Sequence, residues 1–182
     1  TWVILDQDGN ELDLDFIRRS WNPASLTQEY SASFRGKRQK VQIKETKSLL
    51  SSDVAVSVVH LKNNTRQKLR LHLVAWTIQE HMPSKESSWL ANVEYQGGVL
   101  SFNKFLRPSV TPHVEIGCAL GMSAKRQSYG MNLSERTAMQ PRWSFTPWFE
   151  TVSRRGLPNK SELTGATDEG FVYLAVCAPI TL

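Results

Sequence analysis

The sequence lacks the short motifs that mark common catalytic and nucleotide-binding sites. It contains no Gly-x-Ser-x-Gly, no phosphate-binding GxxxxGK[ST] loop and no GxGxxG dinucleotide fingerprint. It has only two cysteines, Cys118 and Cys177, and no CxxC pair. Each cysteine lies in an apolar stretch, which favours a small core side chain, with a disulfide between two strands as the alternative. No histidine has a second histidine or a carboxylate at metal-ligand spacing, so no metal site and no cofactor are expected.

Long hydrophobic runs and helical periodicity are also scarce. No apolar stretch is long enough to span a membrane, and no signal peptide is visible, so no membrane partner is expected. With 40% hydrophobic residues among 182, the chain can bury a core and does not resemble a disordered segment. The net charge of +5 is modest for this length, so nucleic acid is considered but disfavoured as a partner. The compartment stays open, with the cytoplasm slightly favoured.

Alternation of polar and apolar residues is the main pattern that the sequence does show. It predicts strands separated by turn residues, which is typical of an all-β, large antiparallel β-sandwich, and we expect residues 1–182 to form one domain. The longest predicted pair joins residues 53–61 to residues 67–78. The other predicted strands are residues 2–5 with 11–15, 27–34 with 37–50, 89–95 with 99–105, and the unpaired 114–121 and 170–178.

Residues 122–165 interrupt this pattern with an irregular insertion. They are richer in polar and turn residues, and Leu133 to Met139 could form one short helix. Both ends of the chain are strand-like with no flanking linker, and we therefore expect a fragment of a larger protein. A long insertion in a compact β domain is usually functional or interfacial.

An aromatic cluster inside the insertion provides the candidate site. Loops rarely expose so much aromatic area without a role. Three interpretations remain open: a small core that folds the insertion onto the sandwich, an interface with another domain or subunit, and a platform for sugar. The candidate contact residues are Arg142, Trp143, Phe145, Trp148 and Phe149.

Two charged stretches have ordinary interpretations. The basic residues between Arg35 and Lys47 alternate with Val41 and Ile43, as on the solvated face of a strand; a stripe for polyanions or nucleic acid is the alternative. The carboxylates between Asp6 and Asp15 lack the spacing of a calcium loop and fit a solvated hairpin. Three matches to the glycosylation pattern, at Asn63, Asn132 and Asn159, are short enough to occur by chance.

The order of several motifs resembles a known family of sandwich domains. The motifs are Trp2-x-Ile-x-Asp-x-Asp-Gly9, Trp21-Asn-Pro23, Tyr30-x-x-x-Phe34, Val56-Ser-Val-Val-His-Leu-Lys-Asn-Asn-Thr65 and Leu69-Arg-Leu-His-Leu-Val-Ala-Trp76. This series is similar to the amino-terminal β-supersandwich domain of cellobiose-phosphorylase-like enzymes. It is also similar to the sandwich domains of glycogen-debranching and maltose-phosphorylase-like enzymes.

The resemblance implies a non-catalytic module of a multidomain glycoside hydrolase or phosphorylase. In those families the sandwich supports an (α/α)-barrel that holds the catalytic carboxylates, so no catalytic residue is expected in this chain. The implied partners are the catalytic domain of the parent chain, an oligosaccharide and a second subunit in a homodimer. Two alternatives stay open, a stand-alone carbohydrate-binding module and a polyanion or nucleic-acid binder that uses the basic stripe.

Overall fold

The computed structural model describes residues 1–34, 40–51, 53–82, 88–107, 112, 114–135, 156–160 and 170–182. These residues are all-β and contain no helix, which confirms the predicted fold class. The strands are β1 (Trp2–Leu5), β2 (Asp13–Asn22), β3 (Ser25–Ser33), β4 (Lys40–Leu49), β5 (Ala55–Asn63), β6 (Arg70–His81), β7 (Ser88–Gln96), β8 (Val99–Leu106), β9 (Val114–Gly121), β10 (Ser128–Glu135) and β11 (Gly170–Thr181).

The strands form three antiparallel sheets. Sheet I has the order β1-β6-β11-β10, sheet II the order β2-β3-β4-β5 and sheet III the order β7-β8-β9. In sheets II and III every strand pairs with its neighbour in sequence. Sheet I instead joins strands that are distant in the chain, because β6 lies between β1 and β11.

The chain divides into two compact units. Unit 1 comprises Thr1–Asn10 and His72–Pro179, and unit 2 comprises Glu11–Leu71 and Ile180–Leu182. Unit 1 contains sheet III and nearly all of sheet I, whereas sheet II lies wholly in unit 2. Unit 2 is therefore inserted, in sequence, between β1 and most of β6.

Unit 1 is a sandwich whose main core lies between sheets I and III. The alternate residues Val172, Leu174 and Val176 of β11 pack with Leu100 and Phe102 of β8. The other face of sheet I carries a second core, which includes Val3, Leu5, Val74, Trp76 and Cys177 together with Leu157 from residues 156–160. A central strand with two apolar faces explains why β11 reads as a nearly continuous hydrophobic run.

Sheet II, in unit 2, has one apolar and one polar face. Its apolar face includes the buried side chains Ala32, Val41 and Ile43. The opposite face carries alternate polar residues such as Gln42 and Lys44, both exposed. This alternation is the pattern expected for an antiparallel sheet with one solvated face.

Two predicted strand pairs are wrong, although their strands exist. β5 pairs with β4 in sheet II, whereas β6 pairs with β1 and lies next to β11 in sheet I. Likewise, residues 2–5 form β1 of sheet I, and β2 belongs to sheet II. A short connection favours a hairpin, but here the edges of β6 are occupied by β1 and β11, so long-range pairing overrides the local expectation.

The sequence predicts a short helix at Leu133 to Met139. The structure describes residues 133–135 of this segment, and they are not helical. Leu133 and Glu135 are instead in β10, which pairs with β11 from Ser128↔Cys177 to Glu135↔Gly170. Eight ladder positions along a buried strand outweigh the weak local preference of Leu-Ser-Glu for a helix. Residues 128–135 of the segment predicted as irregular therefore form a strand, whereas residues 122–127 do not.

Two predicted hairpins are confirmed. β3 pairs with β4 in unit 2, and β7 pairs with β8 in unit 1. The β7–β8 turn has φ angles of 60° at Gly97 and 87° at Gly98. Positive φ at both central residues is the primed turn geometry that fits the twist of a two-residue hairpin.

Candidate functional site

The sequence-predicted site lies outside the described residues. Arg142, Trp143, Phe145, Trp148 and Phe149 all fall within residues 136–155, and their role as sugar or interface contacts stays a prediction. Part of the basic stripe, residues 35–39, also falls outside the described residues.

Strand β2 of sheet II presents a different group of aromatic residues. Its ten residues are all exposed, with Trp21 75% and Phe16 55% accessible to solvent. Phe16 lies opposite Tyr30 on β3, and Trp21 lies opposite Leu26. Because opposed residues share a face of the sheet, both rings lie on the apolar face. We call Phe16, Arg19 and Trp21, with Gln28 and Tyr30 beside them on β3, the β2 platform.

A β-bulge gives the β2 platform its arrangement. The register with β3 shifts between Phe16 and Arg18, which leaves Ile17 as the additional residue. In a strand without a bulge, Trp21 would lie on the face opposite to Phe16, because residues five apart alternate to opposite faces. The bulge thus brings both aromatic rings and Arg19 to one face.

The rings and the guanidinium of the platform contact one another. Phe16 and Tyr30 meet edge to face, with ring centroids 5.9 Å apart and planes at 71°. The Cζ atom of Arg19 lies 5.8 Å from the centroid of the Phe16 ring, within the range of a cation–π interaction. These contacts hold the Phe16, Tyr30 and Arg19 side chains together, while Trp21 lies further along β2.

A polar row crosses the sheet beside the rings. Arg19 lies opposite Gln28, and Gln28 lies opposite Glu45. Glu45 is only 1% exposed, and it accepts a hydrogen bond of 2.6 Å from the Ser57 hydroxyl. The platform therefore combines exposed ring faces with an exposed guanidinium, and the buried Glu45 carboxylate continues the polar row outside the platform.

The charges of this row act on Tyr30. Burial raises the pKa of the Tyr30 phenol, and the Glu45 carboxylate raises it further, while the Arg19 guanidinium opposes the rise. The phenol is thus neutral near pH 7 and remains a hydrogen-bond donor.

A second aromatic pair, in unit 1, is less open. Trp89 and Phe105 stack on the solvent side of sheet III, with centroids 5.0 Å apart and planes at 6°. Both are only half-exposed, and each ring already covers one face of the other. This pair is therefore a weaker candidate for binding a ligand than Trp21.

The polar face of sheet II carries part of the basic stripe, whereas Lys47 lies on the apolar face opposite Leu26. Lys44 lies opposite His60 on β5, and Lys62 lies two residues further along β5. On the other side, Glu29 forms a 2.8 Å ion pair with Arg18. The positive charge is thus concentrated on the β4 and β5 half of this face.

The buried thiol in unit 1 does not have the environment of a nucleophile. Cys177 is free, and its Sγ lies 3.4 Å from Nδ1 of His72. Burial raises the pKa of the Cys177 thiol to about 11, and burial also lowers the pKa of His72. A reactive cysteine needs the opposite shift, so this pair packs the core as predicted for the cysteine.

His81 and Cys118 have structural positions, whereas His60 is exposed on β5. His81 is buried, and its Nδ1 accepts a 3.0 Å hydrogen bond from the backbone N–H of Leu90. Cys118 is also free and packs against the core between sheets I and III. Among the described residues, no group of histidine, cysteine and carboxylate side chains could hold a metal ion.

Two of the asparagines that match the glycosylation pattern make hydrogen bonds within the fold. The Asn63 Nδ2 donates to the carbonyl oxygens of Gln67 and Leu182 at 2.8 and 3.3 Å. The Asn159 Oδ1 accepts a 3.1 Å hydrogen bond from the Tyr129 N–H. A glycan on Asn63 would disrupt the loop that follows β5.

Comparison of the chain with protein-family models, curated proteins and solved structures found no match. In the part of the chain that is described, no helix has the length and apolarity needed to cross a membrane. The β2 platform must therefore be interpreted from its own chemistry.

Proposed function

We propose that this chain is a non-catalytic β-sandwich domain of a multidomain glycoside hydrolase or phosphorylase, and that it contacts oligosaccharide through the β2 platform. The observation that carries the proposal is the exposure of Trp21 and Phe16 on one face of an ordered strand, beside Arg19. The proposal uses the β2 platform because the structure describes it, whereas the Trp143 to Phe149 segment lies outside the described residues.

The chemistry of the platform suits a sugar better than a purely apolar ligand. Aromatic faces can cover the C–H surface of a pyranose ring, while an exposed guanidinium such as that of Arg19 binds its hydroxyls. Phe16 and Trp21 are five residues apart on a strand, a rise of at most about 16 Å, which suits a ligand of more than one sugar ring. Large exposed rings clustered on one strand commonly mark an interaction surface.

The non-catalytic part of the proposal has separate support. Glu45 is hydrogen-bonded to Ser57, and Cys177 and His72 contact each other in a core. Polar groups buried and paired in this way stabilise a fold rather than meet a substrate. Catalysis in the proposed parent enzyme would come from an (α/α)-barrel domain, as the sequence resemblance implies.

Two other functions remain as alternatives. A stand-alone carbohydrate-binding module would use the same platform without a catalytic partner domain. A polyanion binder would use Lys44, His60 and Lys62 on the opposite face of sheet II. Electrostatic binding of that kind weakens steeply as salt is added, whereas stacking on aromatic rings does not.

A titration with neutral gluco-oligosaccharides and a sulfated oligosaccharide tests the proposal. We expect neutral sugar to bind, to change tryptophan fluorescence and to depend little on salt. Trp21→Ala should weaken this binding at least about tenfold, because it removes the largest stacking surface. Since Trp21 is mostly exposed, the melting temperature should change little.

Val114→Ala is the matched control, because Val114 is an exposed apolar side chain on β9 of unit 1. It should leave sugar affinity unchanged. Binding of the sulfated sugar alone, lost at high salt and insensitive to Trp21→Ala, would instead favour the polyanion binder. Affinity for neutral sugar that survives Trp21→Ala would exclude the platform.

A further inference from the structure

Strand β2 is an edge of sheet II, and it is long and open. It pairs with β3 on one side, and no strand among the described residues lies on its other side. All ten of its residues are exposed. An edge strand presents backbone N–H and C=O groups that can pair with another strand.

The charges of β2 are ordered along the strand. Asp13 and Asp15 lie in its first half, and Arg18 and Arg19 lie in its second half. When two copies of such a strand run antiparallel, the acidic half of each copy faces the basic half of the other. A parallel arrangement would oppose like charges, which is unfavourable.

The face of sheet II on which each side chain lies determines which residues of the two copies meet. Asp15 lies opposite Ser31 and Arg18 lies opposite Glu29 on β3, so both side chains are on the polar face. A two-fold axis perpendicular to the sheet keeps the polar faces of both copies on the same side. Asp15 of one copy then lies beside Arg18 of the other, whose guanidinium already contacts Glu29 of its own copy at 2.8 Å. The axis generates this contact twice.

The other edge of sheet II lacks this complementarity. Strand β5 carries His60 and Lys62 and no carboxylate. Cations on an edge strand discourage pairing between copies, whereas the mixed charges of β2 favour it in one direction. The bulge between Phe16 and Arg18 would lie at the two-fold axis, so regular pairing extends to either side of it.

We propose that β2 pairs antiparallel with β2 of a second copy, so that two four-stranded sheets become one sheet of eight strands. The pairing also covers part of the exposed apolar surface of Leu14 and Ile17. It places the two β2 platforms side by side across the axis, with Trp21 near the outer end of each. This dimer does not depend on the proposed sugar binding.

Sedimentation velocity over a range of protein concentrations tests the proposal, with circular dichroism to verify folding. We expect the unmodified chain to form a reversible dimer. Asp15→Arg opposes Arg18 of the other copy, and Arg18→Asp opposes Asp15. Each charge reversal should therefore weaken self-association at least about tenfold.

Mixing the two variants provides the decisive measurement. An Asp15→Arg copy and an Arg18→Asp copy have complementary charges at both ion pairs, so the mixture should form a heterodimer although each variant alone is monomeric. Lys44→Asp is the matched control, because it reverses a charge on the same face two strands away and should leave the dimer intact.

Three outcomes would overturn the proposal. The first is an unmodified chain that stays monomeric at its highest soluble concentration. The second is a dimer that neither charge reversal weakens, since its interface would lie elsewhere. The third is a mixture of the two folded variants that does not associate.

Discussion

A single glycine determines how residues 156–160 approach sheet I. Gly156 has a φ angle of 90°, and a Cβ atom there would lie 2.3 Å from the Ser128 hydroxyl. The same hydroxyl accepts a 2.9 Å hydrogen bond from the Leu157 N–H, and Leu157 fills the core on this face. The close approach and the backbone conformation both require glycine.

We therefore expect Gly156→Ala to destabilise the protein by about 1–3 kcal/mol, through backbone strain and a steric conflict with Ser128. Thermal or urea unfolding would measure the loss. Gly117→Ala is the matched control, because a Cβ atom at Gly117 meets nothing within 4 Å and its strand conformation suits alanine. It should be neutral or slightly stabilising, and an equal loss in both variants would contradict the role of Gly156.

His72 makes the stability of unit 1 depend on pH. It is buried beside Cys177, and burial lowers the pKa of its imidazole below that of an unfolded chain, about 6.5. The unfolded state therefore binds a proton more readily. The stabilising effect of neutral His72 is fully present above pH 6.5 and is lost as the pH falls below it, by at most about 1.4 kcal/mol per pH unit.

Urea unfolding between pH 8 and pH 5 would measure this dependence. His72→Gln should reduce the slope below pH 6.5, even if the variant is less stable overall. His60→Gln is the matched control, because it makes the same substitution at an exposed histidine of unit 2. An identical pH profile for the unmodified chain and His72→Gln would show that another group causes the dependence.

At the scale of elements, prediction succeeded for two of the five pairs between sequence neighbours in sheets II and III. The β7–β8 turn contains Gly97 and Gly98, both with positive φ, and the β3–β4 pair follows directly from alternation. Sheet I could not be predicted in this way, because β1, β6, β10 and β11 are brought together from distant parts of the chain. No turn residue specifies such pairing, which depends on the fit of whole apolar faces.

The candidate site was missed for a similar reason. Asp13-Leu-Asp-Phe16 shows strand alternation, but Ile17 breaks it and conceals that Phe16 and Trp21 share a face. The sequence also places Trp21 before Asn22-Pro23, which suggests a loop. In the structure Trp21 is still in β2, and the Asn22 side chain accepts hydrogen bonds from the N–H groups of Ala24 and Ser25 to form the turn.

For the whole molecule, the division into units suggests that unit 2 can be removed. Leu5 of β1 lies opposite His72 of β6, although residues 6–71 separate them in the chain. The Asp6 N–H donates to the Asn10 carbonyl at 2.8 Å, which closes a compact turn directly after β1. Joining Asn10 to His72 would thus convert β1 and β6 into an ordinary hairpin.

A deletion variant tests whether unit 1 folds without unit 2. Residues 11–71 are replaced by two glycines, and the chain stops at Pro179. We expect cooperative unfolding and a retained near-ultraviolet tryptophan signal, because all residues of both cores of unit 1, Trp76 among them, remain present. Short loops cost little closure entropy, so the new hairpin should form readily.

Leu174→Ala makes this experiment quantitative. Leu174 is fully buried in the core between sheets I and III, and its truncation should cost about 2–5 kcal/mol. If unit 1 forms its core independently, the substitution should destabilise the deletion variant and the full chain by the same amount, since distant independent sites are additive. A deletion variant that unfolds without a cooperative transition, or that is insensitive to Leu174→Ala, would show that the core of unit 1 requires unit 2 in order to form.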